Sequence, residues 1–169
     1  MSDTGKQGFG EKIDLRVTSE PEHIATVRQA VQEAAAFLGF AEEAVAAVTL
    51  AINEAMANVI QHGYGGRAGQ PIEVIIEPVH RGSAVGLQMT VRDCCPHIDP
   101  STIVGRDLKD VRPGGLGTHI IKTAMDEVEY TQRRPQGMCL RMLKMLNTPP
   151  TRSGPDRSTD QEDSAHGRS

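Results

Sequence analysis

The stretch Ala46–Tyr64, AAVTLAINEAMANVIQHGY, constrains this chain more than any other. Val45, Val48, Ile52, Ala55, Met56, Val59 and Ile60 recur at the three-and-four spacing of an amphipathic helix, so one face must be buried against something. Glu54, Asn58 and Gln61 or His62 then fall on another face. Residues four apart are stacked neighbours on a helix, so the Glu54 carboxylate and the Asn58 carboxamide enter the same space. Such a pair can hold a hydrated Mg²⁺ and orient a nucleophile. It also suits a solvated stripe on a surface helix, and spacing alone favours that plainer reading.

The remaining pattern gives that helix its partners. Residues 1–11 are polar and glycine-containing, a flexible N-terminus. Ile13, Leu15 and Val17 alternate with polar residues as a half-buried strand. Ser19 with Glu22 and Pro21 reads as a capping box opening a helix along Ile24, Val27, Val31, Ala34, Ala35 and Leu38, with Gly39 as a left-handed end. Gly63, Gly65 and Gly66 stop the second helix. Ile72, Val74 and Ile76 form a strand in which Pro78 marks an edge or bulge, and a turn at Arg81–Ser83 joins it to the strand of Val85, Leu87, Met89 and Val91.

Periodicity stops at Asp93, and residues 94–114 have the loop character of a functional segment. A helix follows through Ile120, Ile121, Ala124 and Met125, then a hairpin from Val128 and Tyr130 across Arg133–Gly137 to Met138, Leu140 and Met142. Residues 148–169 contain almost nothing that can be buried and read as a disordered tail, leaving one domain over residues 12–147. The order strand, helix, helix, hairpin, loop, helix, hairpin predicts an α+β two-layer sandwich, its sheet mainly antiparallel or mixed, with helices on one face.

Composition excludes several functions. The net charge is −4, from 18 basic and 22 acidic residues without a basic block, which argues against nucleic acid or an anionic membrane as partner. An apolar run of spanning length and a basic-then-apolar leader are both missing from this reading, which makes a cytoplasmic location the expectation. Cys94, Cys95 and Cys139 are odd in number and make a poor disulfide framework, and Cys94, Cys95 and His97 match no usual zinc spacing.

Three polar features lie at the ends of elements: Glu54 with Asn58, Asp93 after a strand, and the cluster Gly114-Gly115-Leu116-Gly117 before a helix. An Asp in that place most often makes a turn. Glycines there bare the backbone N–H groups, and the helix N-terminus adds its positive end, which is chemistry for an anion. The cluster matches neither the GxxxxGK[ST] phosphate loop nor the dinucleotide fingerprint.

The order of these motifs is more specific than any one of them. Glu54-Ala55-x-x-Asn58-x-x-x-His62-Gly63-Tyr64, then Asp93-x-x-Pro96-x-x-Asp99-Pro100, then Arg112-Pro113-Gly114-Gly115-Leu116-Gly117 and Met125-Asp126-Glu127-Val128 resembles the anti-sigma-factor serine/threonine kinases. These RsbW- and SpoIIAB-like proteins belong to the GHKL (histidine-kinase-like) ATPase superfamily, and the resemblance covers about Ile13 to Leu146. It implies that ATP or ADP binds with Mg²⁺ in the GHKL fold. Asp93 would accept from the adenine amino group, Asn58 would ligate Mg²⁺ between the phosphates, and Glu54 would be the general base or orienting group for a Ser or Thr hydroxyl. Gly114, Gly115 and Gly117 would cradle the phosphates under a lid at residues 102–113, while Ile98, Leu116 and Thr118 complete the nucleotide-binding set.

The implied partners are an anti-anti-sigma (STAS-domain) antagonist, which such kinases phosphorylate in a partner-switching module, a sigma factor or comparable regulator, and a second copy meeting it through the sheet side. The alternative is a nucleotide-responsive or nucleotide-free binding protein without turnover. Two departures from the family pattern motivate it. Cys95 stands where glycine is common, a substitution expected to narrow the purine pocket. Cys139 takes the place of a strand hydroxyl that in some relatives helps hold the adenine-site Asp.

Overall fold

The computed structural model describes residues 10–96 and 115–146. The expected flexible start through residue 9, the lid and the polar tail lie outside them. The elements run β1 (Ile13–Thr18), α1 (Glu22–Phe37), α2 (Glu42–Asn58), a π-helical turn (Val59–Gly63), β2 (Pro71–Arg81), β3 (Ala84–Arg92), α3 (Gly115–Ala124), β4 (Glu127–Gln132) and β5 (Met138–Met145). This is the order the periodicities predict.

The strands form one sheet in the order β1-β2-β3-β5-β4, and every pairing is antiparallel. One transverse row shows how the pattern becomes a core. Ile13 pairs with Ile76, Ile76 with Met89, Met89 with Met142 and Met142 with Val128. Side chains alternate across a strand, so Val74, Leu87, Val91 and Leu140 share that face. It is roofed by Val27 and Val31 of α1, Val48, Ile52 and Met56 of α2, and Ile121 of α3, all 0% exposed. Each such aliphatic side chain contributes about 1.5–3 kcal/mol on burial. The helices therefore lie on one face, with α2 between α1 and α3.

The helix-free face carries charge. Arg92 meets Glu73 at 3.1 Å, the Gln88 amide donates to Glu77 at 2.8 Å, and Arg141 pairs with Glu129. Half-exposed pairs of this kind contribute about 0–1 kcal/mol each, so packing on the other face holds the sheet. Pro78 fits the edge reading, because β1 begins at Ile13 opposite Ile76, and past Ile76 β2 has a neighbour on one side only.

Gly39 closes α1 as expected. At φ +86° it lets its own N–H reach Ala36 O at 3.0 Å and the Phe40 N–H reach Ala35 O at 3.1 Å, the paired bonds of a Schellman end. Helix α1 begins differently from the expected capping box. Pro21 occupies the cap position with no side-chain hydrogen bond. Ser19, 2% exposed, instead donates to Arg67 O at 2.5 Å and accepts from Gln70 N at 3.0 Å. A buried hydroxyl must be satisfied, and the loop after α2 offers both a donor and an acceptor where the helix offers only an N–H.

The run Glu42–Gly63 is, by length and composition, apolar enough to cross a membrane, which the sequence reading did not credit. Its apolar face is the centre of this core, with Val48, Ala51, Ile52, Ala55 and Met56 at 0–1% exposure, and its outer side is small and polar apart from Leu50, 46% exposed. The π turn was also not foreseen. Within it the Tyr64 N–H bonds Val59 O at 2.8 Å, a residue further back than in an α-helix, and Gly65 and Gly66 then turn the chain at positive φ.

Candidate functional site

Helix α2 turns Glu54 and Asn58 towards α3, where both are half-buried. Gly117, in the first turn of α3, packs against them. A Cβ at that position would lie 2.8 Å from Glu54 Oε2, 3.2 Å from Asn58 Oδ1 and 3.3 Å from Asn58 Nδ2. Only a residue without a side chain lets the helix start come this close. The carboxylate, the carboxamide and the N-terminal turn of a helix thus converge on one place.

The other predicted residues of this cluster divide. Gly115 opens α3, and Leu116 stands 55% exposed beside it. Thr118 is buried, 5% exposed, with its hydroxyl against that of Tyr130. Gly114 and Ile98 lie outside the described residues.

Asp93 follows β3 at the far end of the same face and is 3% exposed. Its N–H donates to Met138 O at 3.0 Å, and its Oδ1 accepts from Cys95 N at 2.9 Å and Met138 N at 3.0 Å. The bond two residues on is the turn that an Asp commonly makes after a strand, so that reading is correct as well. Both of these N–H donors act on Oδ1.

The turn between β4 and β5, read from sequence as connection only, clamps this segment. Arg133 Nη1 donates to Asp93 O at 2.7 Å and Gln136 Nε2 to Cys94 O at 3.1 Å. Gly137 sits at φ +100° with Asp93 O so close that a Cβ would fall 2.1 Å from it. Tyr64 holds the segment from beneath. At 2% exposure its hydroxyl donates to Pro71 O at 2.6 Å and accepts from Cys94 N at 2.8 Å, and burial pushes its pKa up to about 12. These contacts join residues distant in sequence, and spacing carries no signal for them.

The family model described as the histidine kinase-like ATPase domain matches residues 17–144. The chain belongs to the histidine kinase-like ATPase family. It is 25% identical over 146 residues to the serine-protein kinase RsbW of Bacillus pumilus, covering 80% of this chain and 86% of the relative. The RsbW of Listeria monocytogenes is 27% identical over 81% of this chain and 88% of its own, and that of Halalkalibacterium halodurans is 30% identical over 80% and 84%. Within the histidine kinase-like ATPases the chain therefore groups with the RsbW-type serine-protein kinases, as its motif order implies.

Both cysteine departures from the pattern of this ATPase family take a different form from the one expected. Cys95 is 1% exposed and joins the hydrophobic core, its thiol against the Asp93 carboxylate and the Tyr64 hydroxyl. Burial first, and the neighbouring Asp93 carboxylate second, push that thiol up to about 12, so it stays neutral. The side chain expected to narrow the purine pocket is buried in the core. Cys139 pairs opposite Arg92 and lies beside its guanidinium. Arg92 alternates with buried Val91 and Asp93, which puts Cys139 on the helix-free face, away from the Asp93 carboxylate; the main-chain N–H of Met138 holds that carboxylate instead.

Proposed function

We propose that this protein is an ATP-dependent serine/threonine kinase of the anti-sigma type, which phosphorylates a small STAS-type antagonist and sequesters a sigma factor or comparable regulator. The packing of Gly117 against Glu54 and Asn58 carries the reading, because it brings a carboxylate, an amide oxygen and a helix N-terminus to one point. Asp93 Oδ2 accepts the adenine amino group, a contact that guanine, with its carbonyl at that position, cannot make. Gly115 and Gly117, with Gly114, let main-chain N–H groups approach the phosphates, and the dipole of α3 favours their charge.

The donors at α2 fit Mg²⁺. Asn58 Oδ1 is a hard oxygen ligand, and among the described residues no group of three or more His, Cys, Asp or Glu converges to form a cage for another metal. Bound there with nucleotide, Mg²⁺ would neutralise charge on the phosphates. Glu54 orients the incoming hydroxyl and takes its proton. Addition of about two negative charges to the antagonist disrupts its docking by repulsion and desolvation. Cys95, which motivated a binding protein without turnover, lies in the core and gives that alternative no support.

Glu54→Ala tests the assignment. Phosphate transfer is expected to be lost while calorimetry still detects Mg-ATP, and substantial transfer by the variant would falsify Glu54 as the base. A pull-down from native lysate with and without ATP identifies the partners. Recovery of a single-domain antagonist phosphorylated on Ser or Thr supports the class, and no nucleotide binding at millimolar Mg-ATP refutes it.

A further inference from the structure

The two ends of the site, Glu54 with Asn58 on α2 and Asp93 after β3, are joined by one side chain. Tyr64 follows the π turn that ends α2, and its hydroxyl is the meeting point of three segments. It donates to Pro71 O at 2.6 Å, where β2 starts, and accepts from Cys94 N at 2.8 Å, in the turn that carries Asp93. The Cys95 thiol lies against the same hydroxyl and against the Asp93 carboxylate. At its other end Tyr64 is anchored through main chain. Its N–H bonds Val59 O at 2.8 Å, and its carbonyl accepts from Arg67 N at 3.2 Å and Arg67 Nε at 3.1 Å.

We infer that Tyr64 is a positioning residue for nucleotide recognition, setting the Asp93 carboxylate at a fixed span from the Glu54–Asn58 pair so that adenine and phosphates are read together. This inference rests on the reading of Asp93 as the adenine acceptor. Its physical basis is that one buried hydroxyl bonds the half-buried Cys94 amide and the Pro71 carbonyl at once, and a ring without it gives up both bonds. The Cys94 N–H then has no partner to hold the Asp93 turn down. The ring itself fills the core at 2% exposure, which a phenylalanine also does. The hydroxyl can therefore be removed without opening a cavity.

The experiment compares wild type, Tyr64→Phe and Ser19→Ala by calorimetry with adenosine and with Mg-ATP, and by steady-state phosphate transfer. Ser19→Ala removes two buried hydrogen bonds in the adjoining loop without touching the Asp93 turn, so it reports what destabilisation alone does. Tyr64→Phe is expected to weaken adenosine and ATP by the same factor, up to about tenfold, the equivalent of one intramolecular hydrogen bond. Its KM for ATP rises likewise, while kcat at saturating ATP holds. Ser19→Ala lowers the melting temperature and leaves both affinities at the wild-type value.

An unchanged adenosine affinity in Tyr64→Phe overturns the inference, as does an equal loss in Ser19→Ala. If wild type binds neither ligand, the adenine reading itself has failed. Should Tyr64→Phe not fold, amide exchange at Cys94 in the wild-type protein replaces it. Slower exchange with adenosine alone supports the inference, and unchanged exchange overturns it.

Discussion

Gly117→Ala separates catalytic geometry from stability. The new Cβ would stand 2.8 Å from Glu54 Oε2, and ordinary contact begins at 3.4 Å, so the carboxylate must retreat by about 0.6 Å. What it meets is the far end of a flexible side chain, which moves at small cost. Alanine also gains up to about 1 kcal/mol over glycine within a helix. The melting temperature should therefore stay within about 4 °C of wild type, the shift that roughly 1 kcal/mol produces in a chain of this size. Catalysis has less room, because productive constellations tolerate about 0.5 Å and a displacement near 1 Å costs about 100-fold. The expected result is a loss of about 10- to 100-fold in kcat for phosphate transfer, with the fold intact by circular dichroism and thermal melting. The assay pairs single-turnover transfer with calorimetry of Mg-ATP. Wild-type kcat in Gly117→Ala would refute the argument that the placement of Glu54 and Asn58 matters to the chemistry, and a rate loss accompanied by a large fall in melting temperature would refute the separation.

Gly137→Ala should do the opposite. Its Cβ meets a backbone oxygen that cannot yield, at φ +100°, so a loss of about 3 kcal/mol, or roughly 10 °C in melting temperature, is expected from differential scanning calorimetry. Asp93→Asn retains an oxygen for the Cys95 and Met138 N–H groups but sets an amide donor against the adenine amino group. The melting temperature should hold while Mg-ATP binding disappears from calorimetry, and retained binding would remove Asp93 from the site. Alkaline pH should unfold the protein progressively. The Cys95 and Tyr64 pKa values are raised from 9.0 and 10.0 to about 12, so their contribution is complete below pH 9 and is lost as pH rises towards 12. Each group adds a slope of at most about 1.4 kcal/mol per pH unit, and Cys95→Ala should flatten the onset in urea titrations; an identical pH profile in the variant would contradict its burial.

The elements and their faces were legible because they depend on local period. Val48, Ile52, Ala55 and Met56 are buried as the helical spacing requires, and Leu87, Met89 and Val91 as the strand alternation requires. The pairing of Glu54 with Asn58 follows from helix geometry, and its role emerged only with the order of the other motifs. What spacing could not supply is contact between remote segments: the place of β5 between β3 and β4, Ser19 drawn to the loop after α2, and the Arg133–Gly137 turn closed over Asp93. The cysteines show the same limit. Aligned to a family pattern, Cys95 and Cys139 both looked like pocket residues, yet one belongs to the core and the other to the opposite face, because the pleat decides direction.

The insertion of β5 between β3 and β4 also has a consequence for synthesis. Asp93 takes its main-chain partner and one of its carboxylate donors from Met138, the first residue of the last described strand. A nascent chain that has emerged only through β4 can bury much of α1, α2 and the β1–β3 meander, but the edge of β3 that β5 will cover is bare and the Asp93 carboxylate lacks its second N–H. The complete Asp93 turn is then acquired only once β5 has emerged, and until that moment the ribosome-bound chain exposes an unpaired strand edge of the kind that chaperones protect.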